Sequence, residues 1–194
     1  TIQGSGSLTA RAGDSETHAF SGDSARITVT GGAQVSCLSE TAAEDSASVF
    51  NSEGCDLTVE AGASLEVLGR SGMALGGGSG AEPVIRLTGG TLRANRINLG
   101  FGAEDHPAAP QLWVDAEGLL ALSAAQTDDE GAAGGVLQVS AGAQFIVNGG
   151  QVTVDTAAAP QGRGAAVRVR EAGSTLEIRS GSLDAPVAGG HGIR

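Results

Sequence analysis

Aromatic and charged residues are scarce in this sequence, and the scarcity bounds what it can build. There are four Phe, one Trp and no Tyr, and charged residues make up only 17% of the chain. Its 194 residues are enough for one domain with a real core. A large globular centre, however, needs bulky side chains to fill it, and these are missing. Cysteine is limited to Cys37 and Cys55, which excludes zinc-type ligand spacing and a CxxC redox pair. The apolar runs fall far short of the roughly 20 residues that cross a bilayer as a helix, so no membrane-spanning segment is expected. Basic residues number 11 against 22 acidic, a net charge of −11. A surface of that sign repels phosphate backbones and excludes nucleic acid as a partner.

What is abundant is glycine, at 32 residues, spread among short apolar segments with a period of two. The best helical window, 39–50, is short and reads as a loop excursion. Elsewhere the segments ITVTGG (27–32), LTVEAG (57–62), IRLTGG (85–90), LWVDAE (112–117), LQVSAG (137–142) and VRVREA (167–172) align. Their second apolar residues, Val29, Val59, Leu87, Val114, Val139 and Val169, recur at intervals of 30, 28, 27, 25 and 30. The first apolar column is Ile27, Leu57, Ile85, Leu112, Leu137 and Val167. Between the two columns the residue varies freely: Thr28, Thr58, Arg86, Trp113, Gln138, Arg168. A strand with one buried face produces this contrast.

Glycine follows as a corner at Gly32, Gly62, Gly90 and Gly142, with Glu117 and Ala172 as departures. A second strand then carries the inward pairs Val35/Cys37, Leu65/Val67, Leu92/Ala94, Leu120/Leu122, Phe145/Val147 and Leu176/Ile178. The Leu92 pair falls one residue early and the Leu176 pair one late, which calls for small bulges. Third-face candidates are Val49/Phe50, Met73/Leu75, Ile97/Leu99 and Val152/Val154. The expected fold is all-β: a right-handed single-stranded parallel β-helix of about six rungs with corner loops. At roughly 4.8 Å per rung this makes a rod about 30 Å long. It occupies residues 1–194 as a single solenoid domain, with Leu8 in an incomplete first rung. An antiparallel sandwich would not need the same two columns six times over. The start at Thr1 and the Gly-rich end GGHGIR read as the edges of a segment of a longer or processed protein.

The segments 39–54, 76–83, 101–111, 123–135 and 157–165 are rich in small and acidic residues and are expected to project as loops. In an oxidising compartment Cys37 and Cys55 would form a disulfide at the base of the first, worth on the order of 3 kcal/mol. Two buried free thiols are the alternative.

Rungs such as ITVTGGAQV, LTVEAGASLEV and IRLTGGTL resemble the passenger domains of autotransporter proteins of Gram-negative bacteria, including the pertactin-like and self-associating adhesin passengers. The resemblance implies export to the bacterial surface, either outer membrane-attached or released. It implies adhesion, self-association or display, with other surface proteins, host surfaces, glycans or copies of the chain as partners. It places no short catalytic or binding motif on these positions.

Parallel β-helices also carry polysaccharide lyases and hydrolases, whose chemistry needs carboxylates close together in a groove. Glu60 and Asp115 fall two rungs apart, about 10 Å, in the outward column Thr30, Glu60, Thr88, Asp115, Ser140, Arg170. That separation sits at the outer limit for an inverting pair, and a solvated strand face explains the column better. Trp113 points outward, where it either suits contact with a sugar or protein or is covered by the 101–111 loop. Arg163, Arg168, Arg170 and Arg179 gather near the C-terminus beside Glu171 and Glu177. Trp113, Arg168 and Arg170 are therefore the candidate surface contacts. His18, His106 and His191 match no metal-ligand spacing, and Glu104-Asp105 and Asp128-Asp129-Glu130 match no calcium motif. No catalytic residue, cofactor or metal is assigned. The expected function is a non-catalytic extracellular surface rod; the alternative is a polysaccharide-degrading or carbohydrate-binding β-helix protein.

Overall fold

Side chains alternate along each apolar segment, and the backbone answers with short strands that bury one face. The computed structural model describes residues 1–14, 17–39, 49–69, 72–77, 82–101, 108–123, 136–156, 165–186 and 191–193. Among these there is no helix. The chain winds through three strands per coil. The first coil holds β1 (Ile2–Gln3), β2 (Ser7–Ala12) and β3 (Phe20–Asp23), and the second β4 (Arg26–Thr30), β5 (Gln34–Ser39) and β6 (Phe50–Glu53). Then come β7 (Asp56–Glu60), β8 (Ser64–Leu68) and β9 (Met73–Gly76), followed by β10 (Val84–Thr88), β11 (Thr91–Ala94) and β12 (Ile97–Phe101). The fifth coil holds β13 (Gln111–Asp115), β14 (Leu119–Ser123) and β15 (Leu137–Val139). In the last two coils a single long strand turns the first corner: β16 (Gln144–Asp155) with β17 (Ala165–Val169), then β18 (Thr175–Asp184) with β19 (His191–Ile193).

Every ladder between strands of neighbouring coils is parallel. The fold is thus the expected parallel β-helix. On the first face Ile27, Leu57, Ile85 and Leu112 stack in register, as do Val29, Val59, Leu87 and Val114. On the second face Val35, Leu65, Leu92 and Leu120 stack, with Cys37, Val67, Ala94 and Leu122 beside them. On the third, Phe50, Met73 and Ile97 stack in one column, with Leu75 and Leu99 in the next. Phe20 extends it: its ring lies 4.8 Å from that of Phe50, stacked at 10°. Burial of these columns supplies the apolar driving force that a chain poor in aromatics would otherwise lack.

From the fifth coil onward the face assignments shift. Leu112 and Val114 are followed on the first face by Phe145 and Val147, then by Leu176 and Ile178. Leu137/Val139 and Val167/Val169 belong instead to the third face, above Ile97 and Leu99. Val152/Val154 continue the second face above Leu120 and Leu122. The cause is physical: all three inner faces contribute to one aliphatic stack, so residue type does not distinguish them.

The corner between first and second faces comes in two lengths. Three residues turn it at 31–33, 61–63 and 116–118, and the middle residue has positive φ: 84° at Gly32, 76° at Gly62 and 64° at Glu117. Two residues suffice at Gly89-Gly90, where a Cβ on Gly90 would lie 2.5 Å from the Val59 carbonyl oxygen. The missing residue is lost within the corner, because Leu87 and Leu92 keep register with Val59 and Leu65. The expected bulge before Leu92 is therefore not needed, and Leu176 is not a late second-face residue but a first-face one.

Cys37 and Cys55 are buried free thiols rather than the expected disulfide. Cys37 projects into the core from the second face, between Ala10 and Val67 in its column. Cys55 sits at the corner from third to first face, where its Sγ accepts from the Ala25 N–H at 3.3 Å and donates toward the Glu53 carbonyl at 3.7 Å. Each sulfur is packed in a different part of the coil.

Candidate functional site

The parallel ladder stacks outward residues as strictly as inward ones, so the chemistry of the rod surface follows from register. On the first face the column between the two core columns reads Thr28, Thr58, Arg86, Trp113, Ile146 and Glu177. Trp113 is half-buried. The Arg86 guanidinium lies over its ring at 4.6 Å from the coil before, and that of Arg179 at 4.8 Å from two coils after. Arg179 must cross the intervening coil to do so. That coil carries Ile146, which faces outward yet is only 2% exposed. Ile146 is the register partner of Trp113 on that coil.

Hydrogen bonds lock the cluster. The indole N–H donates to Gln111 Oε1 at 2.9 Å, and the Gln111 amide donates to Glu82 Oε2 at 2.7 Å. Arg86 donates to Asp115 Oδ2 at 3.0 Å, while Asn148 donates to Asp115 Oδ1 at 2.9 Å. Arg179 donates to Glu177 Oε2 at 2.9 Å. That contact holds the Glu177 carboxyl below its usual range and raises the Arg179 guanidinium above its own.

Of the three sequence candidates, only Trp113 belongs to this cluster. Arg168 lies on the third face, in register with Gln138, and Arg170 sits just beyond that strand, paired with Glu171 at 3.1 Å. Arg86 was visible as Trp113's neighbour in the variable column. Arg179 was not, because the displaced alignment set Gln138 and Arg168 next to the indole.

Glu60 and Asp115 do lie on one face, separated by the coil of Thr88. Glu60 accepts a hydrogen bond from the Thr30 hydroxyl, and Asp115 is held by Arg86 and Asn148. Ser140 and Arg170 do not continue their column; Asn148 stands next to Asp115 instead. His106, Arg163, Glu104-Asp105, Asp128-Asp129-Glu130 and most of the five loop segments lie outside the described residues, as does the His191 side chain. Among the described residues no three His, Cys, Asp or Glu side chains are grouped to hold a metal ion, and no helix is long and apolar enough to cross a membrane. Comparison with protein-family models, with curated proteins and with solved structures finds no match.

Proposed function

We propose that this chain is a non-catalytic surface rod working outside the cell, in the manner of an autotransporter passenger, and that it contributes to adhesion, self-association or surface assembly. One observation carries the reading. The first-face groups best suited to acid–base or sugar chemistry are engaged with one another along the rod. Glu60 is bonded to Thr30, Asp115 to Arg86 and Asn148, and the Trp113 ring lies under two guanidinium groups. A sugar-cleaving site would hold a carboxylic acid and a carboxylate free to face the substrate. A sugar platform would leave the indole face open.

The test has two arms. The purified chain, incubated with acidic and neutral polysaccharides, is expected to release no new reducing ends. Displayed on a bacterial surface, it is expected to increase cell–cell clumping or attachment to glycan-coated supports. Depolymerisation that Asp115→Asn abolishes would overturn the reading.

A further inference from the structure

Of the four asparagines in the sequence, only Asn148 precedes a glycine, and the fold sets this pair at a corner. The register of β16 against β13 slips there, so that Asp115 faces both Asn148 and Gly149. Against β18 it slips on both sides of the Asn148–Ser180 pair. A bulge of this kind interrupts the regular ladder of backbone hydrogen bonds. Gly149 has a φ of 99° and carries no side chain to shield its backbone nitrogen. Both residues are partly open to solvent. The Asn148 side-chain nitrogen donates to Asp115 Oδ1 at 2.9 Å.

The other asparagines sit differently. Asn51 and Asn98 lie within strands, in register with Ala74 between them, and are followed by the buried residues Ser52 and Leu99. Asn95 is bonded through both ends of its amide, to the Gly69 N–H and to the Ser123 carbonyl.

We infer that Asn148 is a site of spontaneous self-modification that loosens the Trp113 cluster. The Gly149 backbone nitrogen attacks Cγ of Asn148 and gives up its proton. The side-chain nitrogen gains a proton and leaves as ammonia, closing a cyclic imide. Water then opens the imide at either carbonyl, leaving aspartate or isoaspartate; nothing is oxidised or reduced. Asp115, already bonded to the leaving nitrogen, stabilises the charge that nitrogen gains on protonation. The product sets a second carboxylate against Asp115 where an amide donor stood. It competes for Arg86, which bonds Asp115 and covers the Trp113 ring. Isoaspartate also adds a backbone carbon between Val147 and Val152, which must keep register on two different faces. This goes beyond the surface-rod reading and does not depend on it.

Incubation of the folded chain for weeks at mildly alkaline pH, followed by digestion and mass spectrometry, tests the inference beside a sample held unfolded in guanidinium chloride. The amide-to-acid mass shift is expected in the folded chain at Asn148 ahead of Asn51, Asn95 and Asn98, with both product isomers present. Tryptophan fluorescence should shift in step with it. Gly149→Ala should slow the conversion. Where the positive φ keeps that variant from folding, the isoaspartate fraction reports the same route, since direct hydrolysis of the amide gives aspartate alone. Asn148→Asp, made directly, should lower the urea midpoint and shift the fluorescence. An Asn148 that stays intact in the folded chain while converting in the unfolded one, or conversion without isoaspartate, would overturn the site. An Asn148→Asp variant with unchanged midpoint and spectrum would overturn the loosening.

Discussion

Arg179 reaches Trp113 across a whole coil, its guanidinium 4.8 Å from the indole centroid, while Arg86 covers the same ring from the coil before. Four successive coils of the first face are joined in this way by side chains rather than by backbone ladders alone.

A double-mutant cycle with Trp113→Ala and Arg179→Ala should therefore reveal coupling. Partly exposed cation–π pairs are worth about 0.5–1 kcal/mol, and urea unfolding of the four proteins measures the difference. Trp113 is the only Trp, so Arg179→Ala should also shift the fluorescence of the folded chain. Additive effects with an unchanged spectrum would contradict the contact.

Corner residues separate conformational strain from steric space. Glu117 holds a φ of 64° at the place where Gly62 has 76°. Non-glycine residues lose about 1–2 kcal/mol in that region, part of which glycine's greater unfolded-state entropy offsets. Glu117→Gly should thus stabilise by about 0.5 kcal/mol, and Gly62→Ala, with nothing within 4 Å of the new Cβ, should destabilise by about 1 kcal/mol. Gly90→Ala should cost more, about 2–3 kcal/mol, because its Cβ meets the Val59 backbone. Thermal unfolding midpoints in that order would bear this out.

Burial pushes the Cys37 thiol up from its ordinary 9.0 to about 11. Between those values the unfolded chain has lost the proton that the folded chain still holds. Stability is therefore full below about pH 9 and falls as pH rises toward 11, by on the order of 2 kcal/mol. The chain has neither Lys nor Tyr, so few other groups titrate in that window. Urea midpoints at pH 8 and pH 10.5 should differ for the unmodified chain, and that difference should shrink in Cys37→Ala. Two thiols should react with a thiol reagent after denaturation without reductant, whereas a disulfide would leave none.

How far the sequence could be read follows from what repeats in it. The alternation of Ile27-Thr28-Val29 or Leu57-Thr58-Val59 reports one buried face directly, and near-constant spacing reports coiling. Four coils of the first and second faces were legible from these signals. LQVSAG at 137–142 resembles LTVEAG at 57–62 because a strand leading into a glycine corner looks alike on any face. Only the count of intervening residues separates the faces, and the loop segments between strands scramble that count. The true first-face strand of the sixth coil, QFIVNGG at 144–150, carries its double glycine where IRLTGG does, yet its position after LQVSAG makes it look like a second-face strand. That displacement hid Arg179 from Trp113, and with it most of the surface cluster. Phe20, which ends the third-face column, has no sequence signal, because a lone aromatic among polar residues carries no period.

The account stands on aliphatic side chains piled in parallel register along three inner faces, and methyl contacts measured by nuclear Overhauser effects test this most directly. The methyls of Val139 should contact those of Leu99 and Val169, and the methyls of Val114 should contact those of Leu87 and Val147. Close Hα–Hα pairs across these strands, which antiparallel hairpins produce, or a Val114–Val139 contact in place of Val114–Val147, would contradict it.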